Sequence, residues 1–282
     1  MEQYKYRPVR FYVFAFSTTW AFWLEAILFN EGLSCTLGML LGLLSPAAVA
    51  VFTVFFSRSE KLKADFKRKI FGFYKLKPLN LLTAILVFAS IVAGSILAST
   101  LFGQSLDQFA FTDDFSFRGA GLASAMLTIL LASVIEEIGW RGYGEDAIAQ
   151  YCGWFSESMI FGCVWALWHL PLFWIPGTYH AGLRALGPGF MLNFFISTVP
   201  MGFVTTWVYV KNGRSMLASM LFHLFVNFMQ ERVAMTPQTK CVETVVVIIA
   251  AAVIVLVNRD MFFETRHIGK LPEEGAVSAF TG

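Results

Sequence analysis

Two adjacent carboxylates and a guanidinium lie at the end of an apolar run. The stretch 130–145 reads LLASVIEEIGWRGYGE and contains Glu136, Glu137 and Arg141. A charge inside a membrane helix costs a few kcal/mol on insertion scales and usually marks a site. Glu137 and Arg141 are one helical turn apart and can pair, but Glu136 points roughly 100° away around the helix axis. An ion pair at a helix end would therefore leave Glu136 unexplained.

Histidines in two other apolar segments are candidate partners for Glu136. His169 ends the stretch VWALWH and His223 begins HLFVN. Trp165 and Asn227 each lie one turn from a histidine, on the same helix face. Pro171 and Pro176 predict that the helix carrying His169 is bent or broken just beyond it. The other two histidines, His180 in a loop and His267 in the tail, are expected to be solvated.

These residue types offer a narrow chemistry. A Glu beside a His can activate water, and burial raises the pKa of a Glu toward that of a useful base. A second His and an Asn amide can donate hydrogen bonds to an oxyanion on a peptide carbonyl. Glu136, His169 and His223 could alternatively hold zinc, since two His and one carboxylate form a known catalytic ligand set. No G-x-S-x-G or H-E-x-x-H motif occurs, so water is the expected nucleophile, with no cofactor or with zinc.

The composition predicts the environment in which these groups lie. Hydrophobic residues make up 57% of the 282 residues and charged residues only 14%, well below the share in soluble domains. Apolar runs of about 20 residues predict an all-α, polytopic membrane protein with about eight transmembrane helices in one bundle. The predicted spans are 11–30, 34–56, 79–102, 120–141, 159–177, 190–210, 216–230 and 242–257.

The distribution of Lys and Arg predicts the orientation. With these spans, sixteen of the 21 Lys and Arg fall on one side, eight of them in the loop 57–78. Cytoplasmic loops retain positive charge, so both termini are predicted to be cytoplasmic. Part of the basic loop is either an interfacial helix or only a topology signal. The fourth span then runs from outside to inside, which predicts that Glu136 and Glu137 lie in its cytoplasmic half, with a catalytic cavity open to the cytoplasmic side.

Three motifs together resemble one family. EEIGWR has the form E-E-x-x-x-R, WALWH fills the place of F-x-x-x-H with Trp for Phe, and HLFVN gives H-x-x-x-N. In this order and in separate spans, they resemble the CPBP (Abi) family of intramembrane proteases, which includes the CAAX prenyl endopeptidase that trims prenylated proteins. The resemblance implies Glu136 as the water-activating base, with His169, Glu137 and Arg141 in support. The one-turn spacing of Trp165 and His169 predicts a further supporting role, with the Trp165 ring packed under the imidazole to fix its rotamer. The resemblance also implies His223 and Asn227 at the oxyanion, and the family has been described both as metal-dependent and as metal-free.

The predicted organisation follows from the motifs. Residues 1–118 form the first three transmembrane helices with the basic loop, 119–257 the catalytic core, and 258–282 a cytoplasmic tail. The expected activity is endopeptidase cleavage near the C-terminus of a membrane-tethered, prenylated CAAX protein, with the lipid bilayer as a further partner and no nucleic acid. A proton-coupled transporter and a non-catalytic scaffold or immunity protein are the alternatives, because both could contain the same buried Glu and His cluster. The sequence does not distinguish plasma membrane from endoplasmic reticulum.

Overall fold

A computed structural model describes residues 4–72, 76–112 and 125–264. No strand forms in these ranges, and one isolated antiparallel bridge joins Phe111 and Val233. The last 18 residues of the predicted tail, 265–282, lie outside the described residues. The helices are α1 (Pro8–Phe29), α2 (Gly32–Phe55), α3 (Glu60–Phe71), α4 (Pro78–Ser99), α5 (Ala125–Gly139), α6 (Glu145–Ala149), α7 (Trp154–Trp168), α8 (Tyr179–Leu186), α9 (Pro188–Lys211), α10 (Met216–Arg232) and α11 (Pro237–Val257).

The all-α membrane bundle predicted from composition is confirmed, but the count of eight spans is not. Five helices of the described chain are long and apolar enough to cross a membrane, namely α1, α2, α4 extended by a short 3₁₀ turn, α9 and α11. A sixth span results if α7, its following 3₁₀ turn and α8 form one broken segment, bent by 78°. α10 has 17 residues, fewer than the roughly 20 that a span needs. α5 has 15 residues and begins at the edge of the described range, at Ala125.

Close contacts between small residues fix the helices that carry the motifs. A Cβ atom added to Gly202 of α9 would lie 2.8 Å from the Cα of Gly162 on α7. One added to Gly139, at the end of α5, would lie 2.7 Å from Cβ of Pro46 on α2. Small residues allow helix backbones to approach closely in membrane bundles. α7 and α5 are therefore held at short distances from α9 and α2.

The motif helix α5 does not end where the sequence predicts. Helical structure continues from Gly139 through one π-helical turn, Trp140–Gly144, and then through α6 to Ala149. Glu136 is therefore about 20 Å from the end of this segment, at a rise of about 1.5 Å per residue. The sequence placed the end of this helix at residue 141, so it predicted a helix too short by eight residues; that the two carboxylates lie in the cytoplasmic half stays a prediction.

The cavity of the bundle lies in the half opposite to the basic end. α7 begins near α6, at the end of the bundle that also carries α3, and His169 follows its last residue at the far end. Most cavity-lining residues of α9, α10 and α11 belong to the half of the helix away from α3, and the exceptions, Met201 and His223, lie next to the midpoints of their helices. The first and last described residues, within 4–8 and 258–264, therefore lie at the end of the bundle away from most of the cavity.

The basic segment after α2 forms a helix that packs against the bundle. Ser59 caps α3 by accepting a hydrogen bond from the Leu62 amide. Leu62, Asp65, Phe66 and Lys69 are the buried face of this helix. The sequence predicts that the basic loop is either an interfacial helix or only a topology signal. It does contain a helix, and the buried apolar and charged residues of that helix contact the rest of the protein.

A buried ion cluster attaches α3 to the π-helical turn. The Lys69 ammonium donates to the carbonyls of Arg141 and Gly142 and to Asp146, at 2.7–2.9 Å. Arg214 pairs with both Asp65 and Asp146. Burial by itself would raise the pKa of Asp65, but Arg214 and Lys69 outweigh it and hold that pKa below its usual range. The cluster thus keeps its charges paired where α3 meets the core.

Replacing Lys69 tests the contribution of this cluster. We expect Lys69→Met to reduce the free energy of unfolding by about 3 kcal/mol, because removing one partner of a buried pair leaves the remaining groups unsatisfied. The measurement is the thermal unfolding of the purified protein in detergent, followed by tryptophan fluorescence. Lys67→Met on the exposed side of α3 is the matched control, and equal melting temperatures for the two variants would contradict the expectation.

Labelling of single cysteines tests the orientation. In a variant lacking the four native cysteines, Lys63→Cys lies at the basic end and Gln238→Cys at the start of α11. The charge distribution predicts that a membrane-impermeant maleimide added to intact cells labels position 238 and not position 63. Labelling of position 63 alone would contradict the predicted orientation.

Candidate active site

Trp165 contacts members of all three sequence motifs. Its indole N–H donates to Oε2 of Glu136 at 3.0 Å, in a buried hydrogen bond between α7 and α5. Its backbone carbonyl is 2.7 Å from Nδ1 of His169, and its ring meets that of His223 edge-on with centroids 5.6 Å apart. A Phe at this position would keep the ring contact but not the hydrogen bond to Glu136.

The break after α7 places His169. α7 ends at Trp168, and a 3₁₀ turn containing Pro171 follows at Leu170–Trp174. This confirms the predicted break just beyond the histidine. Because a carbonyl can only accept, Nδ1 of His169 carries the hydrogen that is donated to Trp165. Nε2 of His169 is then an acceptor.

Glu137 joins the first and third motifs. Its Oε1 is 3.0 Å from the Arg141 guanidinium and 2.9 Å from Nδ1 of His223. Glu137 is 1% exposed and Arg141 is fully buried, and neither lines the cavity. The predicted one-turn pairing of Glu137 and Arg141 is therefore present, and it lies behind the cavity wall, where it orients His223.

Asn227 lies one turn beyond His223 on α10. Its amide N–H donates to the hydroxyl of Ser133 at 3.2 Å, and Ser133 in turn donates to the carbonyl of Ile129. An amide nitrogen carries two hydrogens, so one remains for a ligand. With Nδ1 directed at Glu137, His223 can donate from Nε2 only as the imidazolium. The α10 pair can thus supply two donors when His223 is protonated.

These side chains line one cavity of about 760 Å³. Glu136, Trp165, His169, His223 and Asn227 all contribute to its wall. The remaining lining is largely apolar and includes Leu40, Leu43, Leu44, Leu127 and Leu131. Its volume lies within the range of small-ligand sites, of roughly 300–1,000 Å³. The structure therefore brings the predicted residues of all three motifs together, either on the cavity wall or directly behind it.

The residues do not fit the zinc alternative. Within residues 4–72, 76–112 and 125–264, no group of three His, Cys, Asp or Glu side chains is placed to hold a metal ion. The chemistry below is therefore derived from side chains and water.

Two features of the site differ from the sequence interpretation. His180 lies on α8, lines the cavity and stacks on His169 with ring centroids 5.3 Å apart, so the expectation of a solvated loop residue was wrong. Arg141 also pairs with buried Glu145 at 3.0 Å. The spacing of residues 137, 141 and 145 is a pattern of one turn each and could have indicated this pair, whereas nothing in the sequence pointed to the position of His180.

Comparisons with known proteins agree with these motifs. Residues 118–229 match the family described as type II CAAX prenyl endopeptidase, Rce1-like. Over 271 residues, the chain is 35% identical to the protein named CAAX prenyl protease 2 of Methanococcus maripaludis, an alignment that covers 94% of this chain and 98% of that relative. With the motif residues on one cavity and similarity over nearly its whole length, the chain belongs to the Rce1-like family of type II CAAX prenyl endopeptidases.

Proposed function

We propose that this intramembrane endopeptidase hydrolyses a peptide bond near the C-terminus of a membrane-tethered, prenylated CAAX protein. The observation that carries the proposal is the position of Glu136, which lines an apolar cavity together with two histidines from other helices. Glu136 is 6% exposed, and a carboxylate at such a depth is costly unless it is used.

Glu136 acts as the base that activates water. Trp165 binds Oε2, which leaves Oε1 to accept a proton from a water molecule. Nε2 of His169, an acceptor in the tautomer that Trp165 favours, can hold the second hydrogen of the same water. The water oxygen attacks the scissile carbonyl carbon, and two acceptors fix its direction of approach.

His223 and Asn227 stabilise the oxyanion that this attack produces. The Glu137 carboxylate at Nδ1 favours the imidazolium form of His223, whose Nε2–H can donate to the developing negative charge. The second Asn227 hydrogen adds a donor one turn away. When the C–N bond breaks, the proton on Glu136 passes to the leaving amine, so that the carboxylate is restored.

The apolar wall suits a lipid substituent. Leu44 on α2 and Leu127 and Leu131 on α5 line the cavity and are also 41–44% exposed. The wall is thus continuous with the lipid-facing surface of the bundle. A prenyl chain can occupy this wall while the peptide reaches Glu136, which accounts for a protein substrate tethered to the bilayer.

Loss of the Glu136 carboxylate tests the base. We expect Glu136→Gln to lower kcat for a quenched farnesylated CAAX peptide by about 10²–10⁴-fold, the usual contribution of a positioned base. The amide keeps an oxygen acceptor for Trp165, so the melting temperature should stay within a few degrees of the wild type. An unchanged rate would show that Glu136 is not the base, whereas no cleavage by the wild type would support a non-catalytic scaffold.

The Trp165 indole tests how Glu136 is held. Trp165→Phe keeps a ring beside His223 but removes the donor to Glu136, so we expect kcat to fall by roughly tenfold, the equivalent of one hydrogen bond to a charged group, with KM unchanged. Trp20→Phe is the matched control, because its indole also donates across helices, to the carbonyl of Trp168, and it does not line the cavity. A rise in KM alone would show that Trp165 serves binding and does not position the base.

A further inference from the structure

The cavity has a polar region beyond the catalytic residues. α10 carries Gln230 and Glu231 into its lining, and α11 contributes Lys240 and Glu243. These residues lie at the ends of their helices farthest from α3. The mechanism proposed above uses none of them, although a buried polar region in an otherwise apolar cavity indicates binding of a polar group.

Lys240 is the one Lys or Arg among the cavity-lining residues of the described chain. Its ammonium donates to the carbonyl of Gln230 at 3.0 Å and lies 4.7 Å from the ring centroid of Tyr179. An ammonium has three hydrogens, so these contacts leave it able to bind an anionic ligand. Oε1 of Glu243 accepts from the Gln230 amide at 2.6 Å, and the Glu243 carboxylate also interacts electrostatically with Lys240.

The Lys240 ammonium contacts the carbonyl of Gln230 on α10. Its distance from His223 can therefore be estimated along the α10 axis and compared with the length of an extended peptide. Gln230 follows His223 by seven residues, which corresponds to about 10 Å along a helix axis. An extended peptide advances by about 3.3–3.6 Å per residue, so three residues span about 10 Å. In a CAAX protein, three residues follow the cysteine and end in a free α-carboxylate.

We propose that Lys240 binds the C-terminal carboxylate of the substrate while His223 and Asn227 hold the scissile carbonyl. The inference rests on the proposed function and adds a specificity determinant to it. The spacing between His223 and Lys240 selects a bond three residues from a free C-terminus. Charge attraction inside a poorly hydrated cavity is stronger than in water, so one ammonium suffices to distinguish an acid from an amide.

Two farnesylated quenched peptides, identical except for a C-terminal acid or amide, test this subsite. For the wild type we expect kcat/KM to be at least about tenfold higher for the acid, the equivalent of about 1.4 kcal/mol. Lys240→Met should lower the rate for the acid to that for the amide and leave the amide rate unchanged. Arg184→Met is the matched control, because Arg184 lies over Trp174 on the same end of the bundle and is not among the cavity-lining residues, and it should keep the wild-type preference.

An unchanged rate for the amide would show that Lys240→Met is folded and that its catalytic residues are intact. If Lys240→Met loses both activities, Lys240→Arg decides, since it keeps the charge and should keep the preference for the acid. Equal rates for acid and amide in the wild type, or a preference that survives in Lys240→Met, would overturn the Lys240 subsite and leave the proposed function standing. A wild type that cleaves neither peptide would overturn the proposed function and this inference together.

Discussion

One carboxylate oxygen, Oε1 of Glu137, connects the parts of the candidate site. It accepts from Arg141 on its own helical segment and from His223 on α10. In the hydrocarbon layer no water satisfies such groups, so each must find its partner within the protein. The contact between Glu137 and His223 fixes the rotation of α5 about its axis relative to α10. The same rotation turns Glu136, the preceding residue, toward the cavity. Two adjacent carboxylates thus have different surroundings, one behind the wall and one on it.

Buried charged groups are also paired with protein groups between the site and the end of the bundle that carries α3. Arg141 also contacts Glu145 and lies over the ring of Phe161, which stacks on Trp165. Behind them, Lys69 binds carbonyls of the π-helical turn. π-helical turns frequently accompany functional sites. Here the turn contains Arg141, which pairs with both neighbouring carboxylates, Glu137 and Glu145. The basic helix α3 therefore supports the segment that carries the catalytic motif.

Sequence reasoning predicted the site better than the architecture around it. Charged residues in apolar runs are few, so Glu136, Glu137, Arg141 and the two motif histidines stood out, and their spacing predicted which could pair. The extent of α5 could not be predicted, because buried Glu145 and Asp146 read as the polar end of a span until their partners on other helices are known. His180 and Lys240 were missed for a related reason. Their importance depends on the bend after Trp168 and on the packing of α11, which are tertiary features without a local pattern.

The central claim is that Glu136 transfers a proton and that water attacks the peptide bond. A single turnover of farnesylated CAAX peptide by excess enzyme in ¹⁸O-labelled water tests it most directly, with mass spectrometry of the prenylated fragment. The account predicts that one labelled oxygen enters the new carboxyl group in the first turnover. A first-turnover product without label would mean that an enzyme oxygen attacks the carbonyl, and this would contradict the account.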